Sequence, residues 1–208
     1  MEPRAPARSV LGMEAMHTVR TVGGGERALV VFESMFGNSH AVAEGIARGL
    51  SAGLEVKVAP VHLVDPADVA AADLLVVGGP THMHGMASSM SRKAAIQMGV
   101  ETGADLEPSV TVEPTLRTWI SGLHGERRRA AAFDTRMDRS VTISGSAARA
   151  IAKRLRRRGY VLAADSNSFF VDEATGPLAD GELDRAERWG AGLSRLITGE
   201  SAVPAGAR

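Results

Sequence analysis

The sequence predicts an α/β fold: one three-layer, doubly wound domain on a five-stranded parallel sheet in the order 2-1-3-4-5. Three observations point there. Short apolar runs alternate with amphipathic segments between about residues 27 and 198. The strand candidates are apolar on both faces, as parallel strands covered from both sides must be. And a chain of 208 residues that is 44% apolar and 23% charged can bury a core large enough to need no covalent staples.

Taken in order, residues 28–32 (ALVVF) form the first strand. Residues 41–50 follow as a helix, with Val42, Ile46 and Leu50 recurring every four positions on one face. Residues 54–61 are the second strand, and 73–77 (DLLVV) the third and most buried in character. Residues 115–123 read as a short helix with Pro114 before it. Residues 129–133 give the fourth strand. Residues 146–158 form a helix with Ile151 and Leu155 inward, ending in a basic run capped by Gly159. The fifth strand is split, 160–164 and 168–171, around the polar Asp165-Ser166-Asn167. A last helix, about 180–198, places Leu183, Ala186, Gly190, Leu193 and Ile197 on one stripe. The domain spans residues 26–200. Residues 1–25, ending in three glycines, are expected to be a disordered extension, and 201–208 a frayed tail. The stretch 98–114 is long for a structureless connection and reads as a lid, a contact surface or an irregular insertion.

Composition excludes several function classes. With no cysteine, disulfides, iron–sulfur clusters, thiolate zinc and thiol catalysis are all ruled out. No run reaches the ~20 apolar residues of a membrane span, and the N-terminus lacks the apolar stretch of a secretory signal, so a cytoplasmic location is expected. Net charge is zero, yet residues 117–158 hold 12 basic against 3 acidic side chains. No aromatic residues interleave those arginines, and no nucleic-acid partner is expected.

In a doubly wound sheet, ligands sit beyond the carboxyl ends of the strands at the switch point, which singles out the loops after strands one, three and four. The first is Glu33-Ser34-Met35-Phe36-Gly37-Asn38-Ser39-His40. It offers two hydroxyls, an amide, a glycine that lets the backbone wrap closely, and the N–H groups of a helix start, a donor set suited to a phosphate dianion. Helix capping by the same serine and asparagine is the other reading of these residues. Three further phosphate sites are excluded. There is no GxxxxGK[ST], no GxGxxG with an acid ending strand two, and strand three ends in Gly78-Gly79-Pro80 rather than in a phosphoacceptor's acidic residue.

The loop Ser34-Met35-Phe36-Gly37-Asn38-Ser39 resembles the flavodoxin phosphate loop [ST]-x-[ST]-G-N-[ST], departing from it at Phe36. Gly78-Gly79-Pro80-Thr81-His82-Met83-His84-Gly85 is similar to the third-strand loop of bacterial flavodoxin-domain proteins. The resemblance implies a flavodoxin-like fold and bound flavin mononucleotide (FMN). It places Pro80, Thr81, His82, Met83, His84 and Gly85 along the ring, with Gly85 at the flavin N5 edge. Where the family supplies a stacking tyrosine after strand four, this chain has Asp134-Thr135-Arg136, leaving Thr135 and Arg136 to bond the pyrimidine edge, with a surface salt bridge as the other reading of Arg136. His82 and His84 lack the acidic or cysteine partners of a metal site, so no metal is expected.

Since flavin carries its own redox chemistry, no catalytic residue is named. The expected function is electron transfer through FMN, with a redox partner protein. The alternatives are a reductase passing electrons from NAD(P)H to a quinone or related small acceptor, or a flavin-free interaction module on the same scaffold.

Overall fold

In the computed structural model, the described residues are 18–19, 25–82, 85–140 and 145–199. The remainder of the expected extension, the 201–208 tail, and Met83 and His84 lie outside them. Thr18–Val19 (β1) pairs antiparallel with Glu55–Pro60 (β3), so the extension contributes two residues to a sheet edge, which its composition did not suggest.

Arg27–Phe32 (β2) is buried from its second residue on, as a central strand of Val, Leu and Phe should be. It lies between β3 and Leu74–His82 (β4), parallel to both. Beyond β4 come Arg129–Met137 (β6) and then, on the far side of β6, Val161–Leu162 (β7) and Asn167–Val171 (β8), all parallel. Counting β7 and β8 as the one split strand, the five parallel strands stand in the order 2-1-3-4-5. Gly85–Met86 (β5) turns back antiparallel on the end of β4.

Helices cover both faces. On one, Asn38–Leu50 (α1) and Glu182–Thr198 (α6) enclose Val30, Val42, Ile46, Leu50, Phe133, Phe169 and Leu193. The two helices touch backbone to backbone: a Cβ built on Gly49 would lie 2.0 Å from the Glu187 carbonyl oxygen. On the other face, Leu116–Ser121 (α4) and Ala147–Arg157 (α5) bury Leu116, Ile120, Ile151 and Leu155. Pro66–Ala71 (α2) starts from Asp65, whose side chain accepts from the Ala67 N–H. Leu183 is a correction to the predicted stripe, being 41% exposed. Trp189 packs at the core's edge instead, against Phe169.

Ser89–Thr102 (α3) is a helix that apolar periodicity did not predict, because its buried face is Ser91, Arg92, Ala95 and Gly99. The signal lay in its start, where Ser88 and Ser91 cap each other reciprocally. The 98–114 stretch therefore begins as helix and continues as a packed insertion. Leu106, Val110 and Ile96 close on Met35, the Glu107 N–H donates to the Met35 carbonyl at 2.8 Å, and Arg92 holds the carbonyls of Val110 and Val112.

Candidate functional site

β4 and β6 extend further than their sequences suggest. Gly78, Gly79 and Pro80 read as a turn, yet they pair in register with Phe133, Asp134 and Thr135. The glycine at 78 is there for packing, since a Cβ would lie 2.2 Å from the Phe133 ring. As a correction to the predicted loops, Pro80, Thr81 and His82 lie on β4, and Thr135 and Arg136 on β6.

A cleft of about 230 Å³ opens at this end of the sheet. It is lined by Ser34, Met35, Phe36, Asn38 and Ser39 from the loop after β2, Pro80, Thr81 and His82 from β4, and Thr135 and Arg136 from β6. Ten of the predicted residues thus surround one space. Gly37 lies within the same loop, behind the lining, and Gly85 is in β5 outside it. Gly85 is not among the residues of positive φ, and among the described residues a Cβ there would meet nothing within 4 Å. Sequence reasoning missed Met137, Val171 and Ala174, which complete the lining. The carboxyl-end rule would have found the last two, because they end and follow the fifth strand.

Gly37 is the N-cap of α1, at φ 82°, a left-handed conformation in which glycine alone is unstrained. Having no side chain, Gly37 itself supplies no side-chain cap to α1. Asn38 Nδ2 donates to the Thr175 carbonyl at 3.3 Å, fastening the loop after β8 to the helix start. The buried Ser39 hydroxyl meets that of Thr135 at 2.7 Å. One of the two donates to the other, which leaves the pair one O–H to give. Ser34 is fully buried beside them.

Beneath the cleft Asp134 is completely buried. Its Oδ2 accepts from Thr81 Oγ1 at 2.9 Å, Ser146 Oγ at 2.7 Å and the Ala148 N–H at 2.8 Å. Thr81 Oγ1 in turn accepts from the Ala147 N–H at 2.8 Å. This knot ties the end of β4 to the amino end of α5, and it uses the one O–H of Thr81. Arg136 donates to the carbonyls of Met137 and Arg139 while its guanidinium lies 5.0 Å over the Phe170 ring.

Two ionisable groups in this region are shifted by burial. His82, whose Nε2 is buried without a hydrogen-bond partner among the described residues, has its pKa pushed down, favouring neutral imidazole. Glu33, just ahead of Ser34, has its carboxyl pushed above the usual range by burial, although Arg92 stands 3.8 Å away and pulls the other way. Among the described residues no group of His, Asp and Glu is arranged to hold a metal, and no helix is long and apolar enough to cross a membrane. No tyrosine or tryptophan is in the lining.

Residues 30–107 match the family model described as flavodoxin. No curated protein matches the chain in sequence. Solved structures with a similar fold include a flavodoxin from the domain Archaea, at 20% identity and TM-score 0.56 over 83% of this chain and 99% of that one. An oxidised flavodoxin 2 from Bacillus cereus is similar at 15% identity and TM-score 0.56, over 81% and 98% of the two chains. A flavodoxin described as WrbA-like, from Agrobacterium tumefaciens, is similar at 14% identity and TM-score 0.52, over 85% and 99%.

Proposed function

We propose that this flavodoxin-like protein binds FMN in the cleft at the carboxyl end of its sheet and transfers electrons through it. The observation that carries the reading is the amino end of α1, a 13-residue helix starting from a left-handed glycine whose first residues line the cleft. The N–H groups of a helix start and the helix's positive pole favour a dianion there without any lysine. Ser34, the Ser39–Thr135 hydroxyl pair and the backbone of residues 37–39 would hold the phosphate. Met35, Phe36, Pro80 and Val171 would supply apolar walls for a flat ring, with His82 beside it. The bound flavin would supply one-electron and hydride chemistry.

The NAD(P)H-dependent reductase is the second reading. It is favoured by the lining's lack of tyrosine and tryptophan, which leaves a ring face accessible to a second small molecule.

Titration with FMN and with riboflavin, followed by flavin fluorescence, tests the first reading. FMN should be quenched and bound far more tightly than riboflavin, and Ser34→Ala with Ser39→Ala should weaken FMN on the order of a hundredfold. A protein that quenches neither flavin would overturn the assignment. Steady oxidation of NADPH with a quinone present would select the reductase over the carrier.

A further inference from the structure

A second cleft, of about 250 Å³, lies between α4 and the end of α5 and shares no residue with the first. Arg117, Ile120 and Ser121 line it from α4, and Arg154, Arg157 and Arg158 from α5 and its cap. Ile120 is its buried apolar floor. Among the described residues no acidic side chain is in the lining and none of the four arginines is ion-paired with a carboxylate.

The dipole of α5 favours cations in its last turn. It does not account for Arg117, which belongs to another helix and faces the cluster from across the cleft. Nor does it require the grouping, because Arg156 sits in the same last turn and stays out of the lining. Arg117 is held in place by its Nη2, which donates to the Met86 carbonyl at 2.9 Å. Arg154 is half-buried, and burial, together with the charges of Arg117 and Arg157, makes its own charge harder to hold. Like charges brought together repel unless an anion enters between them. Guanidinium groups present paired donors that match phosphate oxygens two at a time.

We propose that this cleft binds the phosphate or pyrophosphate group of a small ligand. The site is independent of the flavin reading, since its residues and its face of the sheet are different.

The test is calorimetric titration with inorganic phosphate and inorganic pyrophosphate at fixed ionic strength. Three proteins are compared: the unaltered chain, Arg154→Gln with Arg157→Gln, and Ser34→Ala with Ser39→Ala. Pyrophosphate should bind the unaltered chain more tightly than phosphate does. The arginine variant should lose about tenfold or more in that affinity while melting at or above the unaltered chain, because repulsion has been relieved. The serine variant should keep it. Unchanged affinity in the arginine variant overturns the proposal, as does loss of binding in the serine variant alone, which would put the anion in the first cleft. A single-stranded RNA that competes at lower concentration than pyrophosphate, with a steep salt dependence, would replace the small ligand by nucleic acid and also overturn it.

Discussion

Replacing Asp134 with alanine removes one carboxylate oxygen that accepts three hydrogen bonds inside the protein. Bonds to a charged group contribute about 1.5–3 kcal/mol each, but three that share an acceptor do not add in full. The Thr81 and Ser146 hydroxyls can rotate to other partners, whereas the Ala148 N–H cannot. We expect a loss of about 3–5 kcal/mol, a large part of the ~5–15 kcal/mol that holds a typical domain together. At about 2–4 °C per kcal/mol for a domain of this size, the midpoint should fall by roughly 6–20 °C. Asp134→Asn keeps an acceptor oxygen for these bonds but gives up the charge and puts an NH2 where Oδ1 is buried without a partner among the described residues, so it should cost less than alanine without being neutral. Urea unfolding followed by circular dichroism gives both values, provided the slope with denaturant is unchanged. An alanine variant within about 1 kcal/mol of the parent, or an asparagine variant as damaged as alanine, would show that Asp134 does not tie β4 to α5.

Gly49→Ala gains about 1 kcal/mol of helix propensity but drives a methyl to 2.0 Å from the Glu187 carbonyl, so overpacking of about 1–3 kcal/mol should win and lower the thermal midpoint by a few degrees. A variant as stable as the parent would mean that α1 and α6 part at little cost. Among the described residues Gly85→Ala meets open space at an unstrained position and should leave stability within about 0.5 kcal/mol; a larger loss would place something against β5. His82 takes a proton less readily in the fold than in the unfolded chain. As pH drops below about 6.5 the unfolded state therefore binds the extra proton, and stability falls on the acid side. His82→Gln should make the urea midpoint less sensitive between about pH 6.5 and 5, and an equal decline in both proteins would rule out His82 as its source.

The strand–helix alternation was legible because the central strands β2 and β4 carry runs of apolar β-branched residues, such as Val30 and Val31 or Val76 and Val77, and these are fully buried. The cleft's place at the carboxyl end of the sheet was legible from topology, and Ser34, Asn38 and Ser39, which line it, from the loop between the first strand and helix. Hidden were the features that long-range packing decides. Gly78-Gly79-Pro80 looks like a turn until the Phe133 ring is laid against it. Asp134 looks like a loop residue because nothing local reveals that Thr81 and Ser146, far away in the chain, converge on it. The helix Ser89–Thr102 buries small and polar side chains, so hydrophobic periodicity was silent where a capping box was not.

The insertion packed on Met35 bears on the speed of recognition as well as its strength. A loop that must find its shape around a ligand binds slowly and loses entropy as it orders. Here the Met35 carbonyl is already held by the Glu107 N–H, and Leu106 and Val110 already cover its side chain. The loop's conformation is thereby set before any ligand arrives. Encounter should follow diffusion, with lifetime on the protein as the variable that sequence changes in this loop adjust.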